Sequence, residues 1–122
     1  MYVLIKNLLL VGMGGMGGSM LRYLVAHLIK HDSLPYATFA VNISGSLLIG
    51  LIMGWAGREL DFANWRLLLA TGFCGGFTTF SAFTWENMQL IYHARYGAFI
   101  LYTMGTLILG LSATTLGYWI TK

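Results

Sequence analysis

Long runs of apolar residues, separated by short polar segments, dominate the pattern of the chain. Crossing the hydrocarbon core of a bilayer takes about 20 apolar residues in a helix. Four runs approach or exceed that length, at about Leu4–Ile29, Tyr36–Ala56, Leu67–Trp85 and Tyr96–Thr121. They are continuous rather than alternating with a period of two, which argues against the strands of a membrane barrel. The pattern therefore predicts an all-α integral membrane protein with four transmembrane helices.

The connections between the runs are short, at His31–Pro35, at Gly57–Arg66 and around His93 and Arg95. They leave no room for a soluble domain, so residues 1–122 are expected to form a single transmembrane domain. The first run contains Lys6 and Arg22 but lacks the small-residue cleavage pattern of a signal peptide, which favours a retained helix.

Charge is scarce and scattered. Charged residues make up 9% of the chain and hydrophobic residues 57%, whereas a soluble domain carries about a quarter charged residues. The basic residues form no patch for nucleic acid. With four spans they divide between the two membrane sides as Lys6, Arg58, Arg66 and Lys122 against Lys30, Arg95 and the nearby Arg22. So weak a bias predicts insertion in both orientations, and this would allow an antiparallel, dual-topology homodimer.

Glycine spacing has two interpretations. The segment GMGGMG, Gly12–Gly17, fits a dinucleotide-binding pattern, but that fingerprint requires a second strand and a later acidic residue, and here another uncharged run follows. Gly14-x-x-x-Gly18 and Gly50-x-x-x-Gly54 instead predict close approach of helix backbones.

The third run contains the segment ATGFCGGFTTFSAFTW, in which Gly75-Gly76 predicts a mid-membrane break of the helix. Carbonyl groups freed by a break must find partners, and they are hard oxygen ligands that suit a small cation. After the break, Phe80 and Phe83 share one helix face, and the hydroxyl groups of Thr79 and Ser81 flank Phe80. Phenylalanines alone would indicate core or lipid contact, but this combination favours a site.

Polar side chains within the other runs have open interpretations. Asn42 either bonds a neighbouring helix or donates its amide N–H groups to a passing anion. Arg22 either reaches the membrane interface or attracts anions into a vestibule. Tyr102 and Thr106 share a face of the fourth helix and form a candidate hydrogen-bonding track.

The acidic residues help to separate the function classes. The centre of every run lacks them, and Glu86 comes at the end of the third run, where we expect it to be solvated. A proton-coupled exporter needs an intramembrane carboxylate, so the donors and net charge of +3 favour an anion pathway. An accessory membrane subunit would explain the glycines but neither the predicted break nor Asn42. An enzyme is the least expected class, because a nucleophile with a base partner cannot be assembled from residues within the runs.

Three segments resemble the motifs of the Fluc/CrcB family of fluoride channels. They are GGMGGSMLRY from Gly14 to Tyr23, VNISGSLLIG from Val41 to Gly50, and GFCGGFTTFSAFTWE from Gly72 to Glu86. The third is the most specific, and the length and four-helix plan also fit. Ala82 stands where the family often has threonine, so no role of that hydroxyl carries over.

The resemblance implies a fluoride-selective channel, not an enzyme, in the bacterial plasma membrane. Fluoride would leave the cytoplasm by passive permeation through two pores of an antiparallel homodimer. Asn42 would donate to fluoride, the ring edges of Phe80 and Phe83 would contact the ion, and Arg22 would lie near the aqueous vestibule.

The resemblance also implies a structural sodium ion at the dimer centre, bound by the main-chain carbonyls of Gly75 and Thr78. Tyr102 and Thr106 are the candidates for a polar track on the fourth helix.

Overall fold

A computed structural model describes residues 1–30 and 33–122, and His31 and Asp32, in the first predicted connection, lie outside the described residues. Within the described part every regular element is a helix. Four membrane-length helices appear, at Tyr2–Leu28, Tyr36–Ala56, Ala63–Tyr92 and Tyr96–Thr121. They are long and apolar enough to cross a membrane, and this confirms the predicted four-helix plan.

The third of these elements has two parts, so the chain is described by five helices. We label them α1 (Tyr2–Leu28), α2 (Tyr36–Ala56), α3 (residues 63–77), α4 (Phe80–Tyr92) and α5 (Tyr96–Thr121). The bounds of α2 and α5 are those that the apolar runs predicted. The third element is longer than predicted at both ends because helix continues into polar residues beyond the uncharged run.

Glycines bring the backbones of α1 and α3 into contact. A Cβ atom on Gly14 would overlap the carbonyl oxygen of Leu68 and lie 2.8 Å from the main-chain nitrogen of Phe73. A Cβ on Gly18 would overlap the carbonyl oxygen of Phe73 and lie 2.8 Å from the nitrogen of Phe77. The close approach predicted from this glycine pair is confirmed.

α2 and α5 form a second glycine-lined pair. A Cβ on Gly50 would overlap the carbonyl of Thr114, and one on Gly54 would lie 2.6 Å from the carbonyl oxygen of Tyr118. The Thr114 hydroxyl also donates to the Ser46 carbonyl at 3.0 Å. Because the contacts advance in the same direction along both helices, α2 and α5 run parallel, as the second and fourth spans must.

The third element is interrupted at two threonines. α3 has π-helical bonding over Arg66–Cys74 and closes with a turn at Gly75–Phe77. Thr78 (φ −83°, ψ 155°) and Thr79 (φ −148°, ψ 109°) are then extended, and α4 begins with Phe80.

The prediction that Gly75-Gly76 opens the helix was therefore wrong in position. Gly76 stays helical because it packs against the backbone of Gly15 in α1, where a Cβ would overlap the Gly15 carbonyl oxygen. The side chain of Thr79 instead favours a helix start, since its hydroxyl oxygen accepts a bond from the Ala82 N–H at 3.2 Å. A threonine that caps the next helix defines the interruption.

Candidate functional site

An open groove of about 430 Å³ lies beside the interruption. α2, α3, α4 and α5 all contribute to its wall. Residues predicted for the ion sites line it together; they are Asn42, Gly75, Thr78, Thr79, Phe80, Phe83 and Thr106. Ser81, Tyr102 and Arg22 lie outside this lining, although the first two contact residues within it.

The side chain of Asn42 bonds the backbone of the interruption. Its Nδ2 donates to the carbonyl oxygen of Thr79 at 3.2 Å, and its Oδ1 accepts from the Thr79 N–H at 2.8 Å. The amide thus satisfies two backbone groups that left the helical pattern, as a membrane environment requires. The helix-bridging interpretation of Asn42 is confirmed, and the second Nδ2 hydrogen remains for another acceptor.

Phe80 and Phe83 lie close together, as their spacing predicted, but in different surroundings. Their ring centroids are 5.8 Å apart. Phe83 is 7% exposed and packs on Tyr102 with centroids 5.3 Å apart, whereas Phe80 is 74% exposed. Phe83 is therefore held by its own chain, and Phe80 forms an open edge of the groove.

The hydroxyl groups near the groove differ in their bonding. The oxygens of Thr79 and Ser81 lie 3.3 Å apart, and the Thr78 hydroxyl donates to the Cys74 carbonyl at 2.8 Å. The hydroxyl of Thr106 is buried and has no hydrogen-bond partner among residues 1–30 and 33–122. Burying a hydroxyl without a hydrogen-bond partner costs free energy. The O–H of Thr106 is therefore available to donate to a bound species.

A polar cluster midway along α4 was missed by sequence reasoning. The Glu86 carboxylate accepts a bond from the Tyr102 hydroxyl at 2.7 Å and another from the hydroxyl of Thr38. Glu86 is half-buried and borders an open cavity, so its solvation stays a prediction, whereas its two hydrogen bonds were not predicted. The signal was topological, because Thr38 lies near the start of the second span and Glu86 follows the third apolar run, which places both toward the same membrane side.

Arg22 contacts the end of α3. Its Nε donates to the carbonyl oxygen of Gly76 at 3.0 Å, and its side chain is half-buried. A cation at the C-terminal end of a helix is favourable because the last carbonyls carry partial negative charge. The contact explains how a charge is accommodated here, and the vestibule role stays a prediction.

The carbonyl oxygens of Gly75 and Thr78 accept no hydrogen bond within the part of the chain that the structure describes. The Thr79 N–H, which would continue the helix to Gly75, donates to Asn42 instead. The same part contains no group of three or more His, Cys, Asp or Glu side chains placed for a metal. Carbonyl oxygens at a helix end that accept no hydrogen bond are oxygen ligands that fit a small hard cation.

Comparison with known proteins gives matches along almost the whole chain. A family model described as "CrcB-like protein, Camphor Resistance (CrcB)" matches residues 9–118. The chain belongs to the CrcB family. Among its CrcB relatives, the "Fluoride-specific ion channel FluC" of Phocaeicola vulgatus is 42% identical over 96% of this chain and 99% of its own. The protein of the same name from Chlorobaculum tepidum is 45% identical over 98% of both chains.

Family membership and the four apolar helices make this CrcB chain a multi-pass membrane protein. Its relatives are named as ion channels, not as enzymes, in agreement with the prediction from the sequence.

Proposed function

We propose that this CrcB-family chain forms a fluoride-selective channel in a bacterial plasma membrane and that the groove at the interruption is its ion path. The observation that carries the proposal is the convergence on one groove of Asn42, Phe83, Thr106 and the threonine pair. The names of the relatives support fluoride as the ion.

Neutral donors suit the passage of a small anion. Fluoride is strongly hydrated, so a pore must replace its water by donors at close range. The second Nδ2 hydrogen of Asn42, the Thr106 hydroxyl and the positive ring edge of Phe83 supply such contacts. The hydroxyls of Thr79 and Ser81 add further donors beside them. Sites without a fixed positive charge bind an anion shallowly, which lets it leave and supports conduction.

A second copy of the chain completes the pore in this proposal. The groove is open at Phe80, which is 74% exposed, and a Cβ on Gly75 would meet no atom of residues 1–30 and 33–122 within 4 Å. An antiparallel partner would cover this side and give two pores per homodimer, through which fluoride leaves the cytoplasm down its gradient. The carbonyls of Gly75 and Thr78 from both copies would hold a structural sodium ion between the two interruptions.

Fluoride efflux tests the proposed function. Purified protein is reconstituted in liposomes loaded with fluoride or with chloride, and efflux is recorded with ion-selective electrodes. We expect rapid fluoride release without chloride release and without a need for a proton gradient. Release that requires a proton gradient would indicate a coupled transporter, and absence of fluoride release would contradict the proposal.

The antiparallel assembly and the sodium ion have separate tests. A protease-sensitive tag on one terminus should be cleaved from both membrane faces, and cleavage from one face alone would contradict dual topology. Replacing sodium by N-methylglucamine, too large for a carbonyl cage, should weaken the dimer in light scattering. A dimer unchanged after exhaustive sodium removal would contradict the cation site.

A further inference from the structure

A second groove opens beside the parallel pair of α2 and α5, separate from the candidate ion path. It holds about 240 Å³ and its wall is almost wholly apolar. Leu101, Gly105 and Leu109 line it from α5, Phe39 lines it from the start of α2, and Leu34 lines it from the connection before α2. Leu101 and Leu109 lie about 12 Å apart along the helix, so the groove can hold a stretch of hydrocarbon chain.

The end of this groove at Leu34 is basic. Arg95, which precedes α5, donates from its guanidinium group to the carbonyl oxygen of the adjacent residue, Ser33. Its side chain is exposed, and so is that of Lys30 after α1. Both residues lie in connections between membrane spans, at the depth where lipid phosphates lie. An exposed guanidinium group beside an apolar groove complements a molecule with an anionic head and a hydrocarbon tail.

The same groove touches the back of the aromatic cluster. Tyr102 and Phe39 line it and also pack with Phe83. The Tyr102 hydroxyl donates to Glu86, which lines a different cavity that shares Leu34 and Pro35 with this groove. A chain that fills the groove would therefore support Tyr102 from behind, and through it the ring of Phe83.

We propose that this groove binds one acyl chain of an anionic phospholipid, with the lipid phosphate against Arg95. A bilayer surrounds the helices of a multi-pass protein, so lipid acyl chains are available to fill the groove. The positive charge of Arg95 favours an anionic headgroup. Lipid binding is independent of the proposed fluoride conduction, whereas its effect on the ring of Phe83 rests on that proposal.

Native mass spectrometry of the full chain in detergent tests the headgroup contact. The protein is titrated with phosphatidylglycerol or with phosphatidylcholine of the same acyl chains. Arg95→Gln should weaken phosphatidylglycerol binding about fivefold and weaken phosphatidylcholine binding less, because the choline cation already offsets the charge of its phosphate. Arg58→Gln is the matched control, because Arg58 is also exposed and donates to a carbonyl, that of Thr121, at 3.3 Å. Equal phosphatidylglycerol affinity in both variants would overturn the proposed headgroup contact.

Gly105→Leu tests the tail. The atom nearest to a Cβ on Gly105 is a ring carbon of Phe39 at 3.9 Å, so the new side chain can fill the groove without moving the backbone. Binding of both lipids should fall at least tenfold, roughly the loss of two buried methylene contacts. Leu111→Phe, at a position of α5 that is 72% exposed, should bind both lipids normally. Unchanged lipid binding by Gly105→Leu would overturn the proposal. Dissociation of a dimer by Gly105→Leu, without loss of lipid binding, would also overturn it, because the groove would then belong to the contact with a second copy.

Fluoride efflux from vesicles with and without phosphatidylglycerol separates the two proposals. We expect efflux of the wild type to rise with phosphatidylglycerol, and that of Arg95→Gln not to respond. Normal lipid selectivity without this rise would overturn the link to the pore and leave the lipid site standing. Absence of efflux under all conditions would overturn the channel, whatever the lipid titration gives.

Discussion

α3 and α4 belong to one membrane crossing but are held in different ways. α3 touches α1 through main-chain atoms, and a Cβ on Gly72 would lie 2.7 Å from the carbonyl oxygen of Val11. α4 is held by side chains, through the ring of Phe83 and the bonded carboxylate of Glu86. The main-chain contact of α3 with α1 leaves no room for larger side chains. The side chains of α4 instead present aromatic and polar groups to the groove. Substitutions along α3 should therefore act on folding, and substitutions around α4 on ion flux.

The largest effect should come from Gly18→Ala in the seam between α1 and α3. The new methyl would overlap the carbonyl oxygen of Phe73 and lie 2.8 Å from the nitrogen of Phe77. Because both are backbone atoms that cannot rotate away, we expect a loss of about 3 kcal/mol, at the upper end for overpacking. Thermal unfolding in detergent measures it. Gly17→Ala is the control, since its methyl would lie 3.7 Å from a ring carbon of Phe73, and equal unfolding temperatures would contradict backbone packing.

Asn42→Asp should abolish most fluoride flux. The aspartate keeps the acceptor for the Thr79 N–H but loses the donor to the Thr79 carbonyl. It also places a carboxylate beside the proposed anion path. We expect fluoride efflux to fall at least tenfold, which corresponds to about 1.4 kcal/mol in the barrier. Asn64→Asp makes the same chemical change at an exposed position of α3 and should conduct normally. Undiminished efflux in Asn42→Asp would remove this side chain from the path.

Phe83→Ile and Phe80→Ile should reduce efflux several-fold while the protein stays assembled, because a branched aliphatic side chain has no positive ring edge. Phe83→Ile should also lower the free energy of unfolding by about 1 kcal/mol, since this ring is buried against Tyr102. Phe80→Ile should barely change the stability of the single chain. Efflux and thermal unfolding on the same preparations check both effects, and normal efflux in both variants would exclude the aromatic pair.

Thr106→Val should have the smallest effect, with opposite signs on stability and flux. Removing a buried hydroxyl that lacks a protein partner should leave stability unchanged or raise it by up to about 1 kcal/mol. Efflux should fall about twofold to fivefold if the hydroxyl serves the ion. Thr115→Val is the control, because the Thr115 hydroxyl donates to the Leu111 carbonyl within its own helix at 2.9 Å. A destabilised Thr106→Val with normal efflux would contradict the assignment.

Helix bounds were predictable where local composition decides them. α2 and α5 begin and end with their apolar runs, because the cost of polar groups in hydrocarbon changes sharply at those residues. The glycine pairs likewise predicted the helix–helix contacts that they form, because glycine lets two helix backbones approach closely.

The position of the interruption was not predictable from the glycines. It depends on whether another helix occupies the space beside Gly76, and on Asn42 bonding Thr79 across 37 positions of sequence. The contact of Thr38 with Glu86 spans 48 positions. Neither pair leaves a periodic signal. The order of the spans places Thr38 and Glu86 toward the same membrane side, but the contacts themselves depend on how α2 packs against α4.

The reversal potential in a planar bilayer distinguishes a passive fluoride-selective path from the alternatives. The protein is placed between solutions with opposite fluoride and chloride gradients, at equal and then at unequal pH. We expect the current to reverse at the fluoride equilibrium potential in both cases. A reversal potential that follows chloride or the pH difference would contradict a passive fluoride-selective path.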